Sequence, residues 1–542
     1  MPCPLRAAAA LLFAGVLPMH AQHAQDSAAI SPPRTTRTVL LGSPDEDRLR
    51  IAQIRGERPL AGSLIRSPST SNVFRDSSTS GFRWSIIGPV VDATWNSQLP
   101  FSIDDGSLWA GRGINSRLTA GVRANLGPLR VQVAPEFMRS ENKAFRLAPS
   151  GIPGRSDYAA PFHYGPVSID LPVRFGSVPF TTIDPGQSAV WGSLGQIDVG
   201  AATENQWWGP GIQNALIMSD NAPGIPHAFI RTNRPLHTDI GDFEAKLIAG
   251  GLTESLYFDR DSSNDRRSIS GVIATYAPSV EPNVSFGVAR TVYSPAPQSS
   301  DVASHALDAL FRGSTTRSDS TATGANGFDQ LFSLFGRWVF PQSGFEVYGE
   351  WARMLPPSSL RQLLVDPQYT QGYTVGLQYA GNVQPDAVLR VQGEVSFLDQ
   401  TPASRAADTL TFYTSRAVPQ GYTQRGQLIG AAIGPGGSSE FLAIDYMPRA
   451  WDVGVFAQRI RWDEDVYYTQ PSGIVYYSHD VTALAGVRGT VRTLGGELHA
   501  EYSVAARLNF LFQNRQGGYL PDRTSDFRNV TLRLWFSPME TR

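Results

Sequence analysis

The sequence predicts an all-β fold, a transmembrane antiparallel β-barrel of about 18 strands with 16 as runner-up, preceded by a short N-terminal periplasmic helical segment. Three observations predict it. The chain opens like an exported protein. No later run of about 18 apolar residues could cross a bilayer as a helix. From about residue 82 onward, apolar and polar residues alternate with period two, in segments that end on aromatics.

Residues 1–24 read as a signal peptide. Arg6 supplies the positive charge, Ala7 to Leu17 is an unbroken apolar run, Pro18 stops it, and Ala21 and Ala24 offer small residues for cleavage. Cys3, the only cysteine, precedes that run, so it is not a lipid-anchoring cysteine and the mature chain holds no thiol, disulfide or cysteine metal site. Residues 25–81 form a Ser/Thr/Pro/Arg-rich periplasmic linker. Within it, Ser43-Pro44-Asp45-Glu46-Asp47 has the chemistry of a helix start: an N-cap serine, an early proline and acids in the first turn. Leu49, Ile51, Ile54 and Leu60 follow at roughly helical spacing, so one short helix is expected at or in the periplasmic mouth.

The barrel spans 82–542. Leu118, Ala120, Val122 and Ala124 alternate with Thr119, Gly121, Arg123 and Asn125. The same pattern recurs in 129–134, 345–351, 389–397, 497–504 and 530–536. A soluble sandwich alternates too. The charged partners Glu346, Glu350, Glu497 and Glu501 favour a wet lumen instead. Trp84, Trp95, Trp338, Tyr379, Trp451, Trp462 and Trp535 suit interfacial girdles. The last strand, expected at Asn529–Phe536, can close the barrel on the first. About 460 residues at roughly 50 per hairpin yield the strand count. Long outer loops are expected at 140–190, 256–268 and 294–328, which are rich in Pro, Ser, Gly, Asp and Asn.

Composition narrows the function. A net charge of −2 argues against nucleic acid as a partner. Lys143 and Lys246 are the only lysines, so arginine carries nearly all the positive charge. The chain has neither a P-loop nor the H-E-x-x-H and G-x-S-x-G patterns, and His163, His227, His237, His305, His479 and His499 lack zinc-type spacing. No catalysis, cofactor or metal is expected. Asp259, Asp261, Asn264 and Asp265 resemble calcium ligands but lack the full loop pattern. Asp463-Glu464-Asp465 reads as a solvated acidic loop.

The most telling block is Thr203 to Arg231, with Trp207-Trp208-Gly209-Pro210-Gly211 at its core, continuing through Asn221-Ala222-Pro223. Adjacent side chains on extended backbone point to opposite faces. The paired indoles therefore read as one girdle and one packed residue, followed by a turn or an inward fold that needs glycine's freedom. A second block is Gly421-Tyr422-Thr423-Gln424-Arg425-Gly426-Gln427-Leu428-Ile429-Gly430, where Arg425 and Gly426 read as a lumen arginine and a close-packing glycine. A third is Phe328-Asp329 through Trp338, then Phe345 to Trp351.

In these blocks, in this order, the chain resembles the outer-membrane capsule-assembly (Wzi-like) family. Two departures stand out: Gly434-Pro435-Gly436-Gly437 occupies a place where the family tends to carry Gly and Asp, and the stretch before the barrel is shorter than the family's helical portion. The resemblance implies an eighteen-stranded barrel in the bacterial outer membrane, a helical periplasmic element and outer loops that narrow the lumen. It implies binding of capsular or extracellular polysaccharide at the cell surface without catalysis, with outer-membrane lipid and lipopolysaccharide as surroundings. The family-motif residues Trp207, Trp208, Gly209, Pro210, Gly211, Asn221, Gly421, Tyr422, Arg425, Gly426 and Gly430 are structural or ligand-binding under this reading. Trp462, Tyr467 and Tyr476 are candidate glycan-stacking residues, because sugar C–H faces pack on aromatic rings. The alternative is an outer-membrane porin or substrate channel, which needs a continuous water path.

Overall fold

The computed structural model describes residues 39–70, 82–147, 153–162, 168–313, 327–355, 359–406, 410–469, 478–493, 495–512 and 526–538. The period-two segments form eighteen antiparallel strands closed into one barrel. The first six are β1 (Phe82–Asn96), β2 (Gly113–Leu126), β3 (Leu129–Val133 and Glu136–Ser140), β4 (Phe180–Asp184 and Ala189–Leu194), β5 (Ile197–Ala202) and β6 (His227–Thr232 and Leu236–Thr238). Then come β7 (Gly241–Thr253), β8 (Arg266–Pro278), β9 (Val284–Pro295), β10 (Asp329–Phe340), β11 (Phe345–Arg353) and β12 (Gln371–Gln384). The last six are β13 (Ala387–Phe397), β14 (Ser438–Pro448), β15 (Trp451–Trp462), β16 (Asp480–Thr493), β17 (Gly496–Leu508) and β18 (Phe527–Pro538).

Each of the three interrupted strands carries a proline at its break: Pro135, Pro185 and Pro235. Proline has no N–H to give the ladder, so pairing lapses there and resumes beyond it. Pro89 sits at the register shift between Ile87 and Val90 for the same reason. Closure is by β1 on β18, with Val91 opposite Phe536 and Trp95 opposite Leu532.

Connections at one end are tight, as at 127–128, 195–196, 239–240, 385–386 and 449–450. Those at the other end are long, as at 141–179, 203–226, 296–328 and 398–437. In outer-membrane barrels the short turns are periplasmic. Large apolar side chains such as Leu118, Val122, Leu334, Leu377, Leu442, Val455 and Leu498 remain exposed on the outer wall. A band of that size is explained by lipid. Aromatics rim it at the short-turn end, where Phe243 stacks on Tyr276 at 4.8 Å and Trp338 lies 4.7 Å from Phe340. Two expected girdle residues differ: strand alternation turns Trp462 and Trp535 inward, Trp535 lining a luminal cavity.

The N-terminal helix, α1 (Pro44–Ile54), forms as its sequence dictates. Ser43 caps it by accepting from the Glu46 N–H at 3.4 Å, Pro44 occupies the first turn, and the first-turn acids meet the positive end of the helix dipole. It lies inside the barrel near the short-turn end. Ion pairs join Arg50 to Glu346 at 2.7 Å, Arg48 to Glu497 at 2.8 Å and Asp47 to Arg390 at 2.8 Å. The wet lumen expected from Glu346, Glu350, Glu497 and Glu501 holds only in part: the first three carboxylates are buried and spent on internal partners, whereas Glu501 lines a luminal cavity.

Candidate functional site

Two of the long connections, 203–226 and 398–437, fold back into the lumen instead of projecting from the rim. Trp207 and Trp208 pair with Arg66 and Ile65 in a two-residue ladder inside the barrel. The indoles do face opposite ways. Arg66 lies over the Trp207 ring at 4.9 Å, and the Trp207 Nε1–H donates to the Gly211 carbonyl at 3.1 Å. Trp208 is fully buried against the wall, so close that a Cβ on Gly271 would come within 2.9 Å of it. Neither indole belongs to a girdle, which corrects that reading: both sit in the lumen, where wall and plug exclude lipid.

The turn after them is held by wall carboxylates. Glu394 accepts from three successive backbone N–H groups, of Ile212 (2.6 Å), Gln213 (3.1 Å) and Asn214 (2.8 Å), and from the Tyr348 hydroxyl (2.8 Å). Glu350 accepts from the Leu216 N–H at 3.0 Å. A carboxylate facing consecutive amides is a strong, charge-assisted arrangement. Pro210 accepts from Arg50 at 2.8 Å and thereby ties α1 to the plug. Gly209 has φ of 103°, which a side chain would strain.

The second block is a hairpin. Thr423–Gln424 pairs with Gln427–Leu428, and Arg425 and Gly426 make the turn with φ of 49° and 82°, the geometry of a two-residue turn with both central residues left-handed. Arg425 ion-pairs with Asp184. The Tyr422 hydroxyl donates to the Ile217 carbonyl at 3.0 Å, and Asn221 Nδ2 donates to the Leu428 carbonyl at 3.1 Å. The two motif blocks are thus bonded to each other. Sequence reasoning missed Tyr413, whose hydroxyl donates to Leu216 at 2.8 Å and accepts from the Ala431 N–H at 2.8 Å. It also missed Glu204, which accepts from the Ser69 N–H and Oγ at 2.7 and 2.6 Å. Tyr413 lies in none of the motif blocks, and Glu204, although inside the first, has no spacing that announces a joint.

The apolar plug packs on the inner wall of β4–β11, joining Trp208, Leu216, Ile217, Met218, Tyr413, Tyr422 and Ile429 to Phe229, Ile248, Ile273 and Phe335. On the opposite side, between α1, residues 101–108 and strands β14–β18 and β1–β2, a charged cavity of about 300 Å³ remains. Burial pushes Asp104 there up to about 8, helped by the charge of Asp105, and raises Asp220 well above the carboxylate range.

At the long-loop rim the stacking candidates separate. Trp462 is half-buried; its Nε1–H donates to Thr482 at 2.8 Å and Arg507 covers its ring at 4.8 Å. The Tyr467 ring centre lies 3.8 Å from that of His479 and 5.1 Å from that of Tyr468. Tyr468 is 49% exposed, with the Arg405 guanidinium 4.0 Å above its ring. Tyr476 lies outside the described residues. The solvated reading of Asp463-Glu464-Asp465 is corrected: Glu464 and Asp465 are buried, Glu464 holding Arg461 and His479, and Asp465 accepting from the Gln400 N–H at 2.7 Å. They anchor the rim helix Glu464–Thr469 that presents both tyrosines. In the possible calcium loop, Asp259 and Asp261 accept from the loop's own backbone at 2.7 and 3.0 Å. Among the described residues no group of three or more His, Cys, Asp or Glu could hold a metal.

The family described as "Capsule assembly protein Wzi" matches residues 101–447. No curated protein matches the chain. Among solved structures, the chain is similar to Escherichia coli Wzi, described as an outer membrane protein involved in group 1 capsule assembly and a carbohydrate-binding β-barrel. The identity is 11%, with 84% of this chain and 85% of that one covered and a TM-score of 0.52. Pseudomonas aeruginosa OccK5 follows at 9% identity, covering 85% and 98%, with a TM-score of 0.38. Acinetobacter baumannii OccAB2 matches at 8% identity, covering 84% and 98%, with a TM-score of 0.39.

Proposed function

The chain belongs to the capsule assembly protein Wzi family, and from that premise we propose that it is an outer-membrane barrel that holds capsular or extracellular polysaccharide at the cell surface by binding rather than by catalysis. The observation that carries the reading is the rim platform of Tyr467, Tyr468, His479 and Arg405. Aromatic faces stack on sugar C–H patches, and a guanidinium beside them bonds hydroxyls or carboxylates. Trp462, held at the end of β15 by Thr482 and Arg507, and Tyr476 are proposed to extend the platform. The motif residues from Trp207 to Asn221 and from Gly421 to Gly430 are proposed to be structural, since their contacts go to one another and to the wall.

The porin alternative needs a water path, and the packed half of the lumen opposes one. Residues 1–24 are proposed to be a cleaved signal and residues 25–81 a periplasmic stretch whose helix docks in the lumen. The test is calorimetric titration of the purified protein with surface polymer from its own cell envelope. Tyr467→Ala and Tyr468→Ala should weaken binding while the heat-dependent gel shift of the folded barrel persists. Full binding by the double variant would remove the rim from the site. Loss of binding in Trp208→Phe, with normal barrel yield, would move the site to the plug.

A further inference from the structure

Two stretches at the long-loop end do not enter the lumen and lie instead on the outside of the wall. Ile269 and Ile273 pack in the luminal core, so Ser270, between them on β8, points outward. Ser270 is nevertheless only 1% exposed. Its hydroxyl donates to the Ala306 carbonyl at 2.9 Å and accepts from the Ala309 N–H at 3.1 Å. Arg290, outward on β9, donates to the carbonyls of Ala309 (3.3 Å) and Arg312 (2.8 Å). The helices Ser299–Ser304 and Asp308–Phe311 are thereby fastened to the outer face. On β11, Ala352 packs inward, so Arg353 points outward, yet its exposure is 0%. It donates to the Asp366 carbonyl at 3.4 Å and lies 5.7 Å from the Tyr369 ring centre, below the helix Leu360–Val365.

Both segments are well anchored, and both leave large apolar side chains uncovered. Leu307, Leu310 and Phe311 are exposed on one, Phe311 at 79%. Leu360, Leu364 and Val365 are exposed on the other, Leu364 at 73%. Toward the short-turn end the same flank of wall carries exposed Phe286, Val288, Leu334, Val375 and Leu377. The helices therefore continue the lipid-facing band on one side of the barrel. Arg266 and Arg361 are exposed beside them. Short amphipathic segments with apolar faces and flanking arginines suit the boundary between acyl chains and headgroups.

We infer that residues 299–313 and 359–370 form a one-sided membrane foot, seated in the outer leaflet at the acyl–headgroup boundary. The inference rests on the membrane-spanning reading of the barrel. The foot would hold β8–β12 at a set depth and fix which flank of the rim stands nearest the lipid surface.

The test places an environment-sensitive fluorophore at Phe311→Cys, Leu364→Cys, Leu377→Cys or Val280→Cys, each in a Cys3→Ser background. The proteins are reconstituted in vesicles of phosphatidylcholine and phosphatidylglycerol. Leu377 lies on the wall and Val280 is 91% exposed in a short turn. Labels at 311 and 364 should show blue-shifted emission and lose most of it to lipids brominated near the headgroup, while the label at 280 stays sensitive to aqueous iodide. Iodide-sensitive, lipid-insensitive labels at 311 and 364 with a lipid-quenched label at 377 would overturn the foot alone. Failure of lipid quenching at 377 as well would overturn the barrel's placement. Blue-shifted emission at 311 and 364 that appears only when copies associate, and not in singly occupied vesicles, would assign the face to a second copy and also overturn the foot.

Discussion

A Cβ on Gly430 would lie 2.4 Å from the Tyr413 hydroxyl and 2.5 Å from the Leu216 carbonyl. Those two groups are hydrogen-bonded to each other, so neither can yield without opening the joint between the plug segments. Gly430→Val should cost about 1–3 kcal/mol by overpacking. It should lower the temperature of the heat-dependent gel shift and expose the 398–437 connection to protease; an unchanged shift would show that the joint bears no strain. Acidic residues add a pH dependence. Burial moves Asp104, and Glu254 just past β7 where it accepts from Gln420 Nε2 at 2.5 Å, from the ordinary carboxylate range, near ~4, up to about 8. The folded state thus retains protons that the unfolded chain releases. The stability linked to these groups is full below ~4 and is lost as pH rises through about 8. Thermal unfolding should show this decline between those limits, and Asp104→Asn should flatten it. An equal slope in the variant would assign the dependence elsewhere.

At the scale of elements, the plug is held by a few wall carboxylates and α1 by ion pairs. Glu394→Ala removes the acceptor of three consecutive plug amides. Hydrogen bonds to a charged group are worth about 1.5–3 kcal/mol each. The expected outcome is protease cleavage within 205–226 in a barrel that still shifts on gels; resistance equal to the parent would mean that apolar packing alone retains the plug. Deleting residues 43–60 takes away Asp47, Arg48 and Arg50, and with them the pairs to Arg390, Glu497 and Glu346. Buried charges left unpaired admit water. Single-channel conductance in planar bilayers should therefore rise from a low level. If it does not change, α1 is a tether and the 203–226 and 398–437 segments close the barrel unaided.

For the whole molecule, a barrel whose lumen is packed on one side and crossed by α1 on the other, with an aromatic rim, suits retention better than transport. Loss of the protein should release polymer into the medium without reducing total polymer synthesis, measured as cell-bound against soluble polysaccharide. Unchanged surface polymer together with steady solute conductance of the purified barrel would favour the porin alternative.

What the sequence determined by itself is what local chemistry dictates. Period-two alternation specified the strands and their outward faces, because each side chain on a strand faces either lipid or lumen. Ser43, Pro44 and the first-turn acids specified α1, since capping and dipole effects act within one turn. Proline at 135, 185 and 235 marked the strand breaks. The family motifs were legible as motifs, and the opposed faces of Trp207 and Trp208 followed from extended backbone. Only the tertiary structure decided where those indoles stand. An apolar residue reads the same whether it meets lipid, a girdle or a luminal plug, so Trp207, Trp208, Trp462 and Trp535 were indistinguishable from girdle residues. An inward fold was legible at Gly209-Pro210-Gly211, but the full extent of the connections 203–226 and 398–437 was not, because a loop that folds into a core is built from core residues. Glu346 and Glu350 read as lumen-facing charges, and Glu394 carried no reading of its own beyond its place in an alternating segment. Glu346 does meet Arg337 on the neighbouring strand, but its pairing with Arg50, and the amides that Glu350 and Glu394 hold, come from segments more than a hundred residues away, and such partners are chosen by barrel closure, not by spacing.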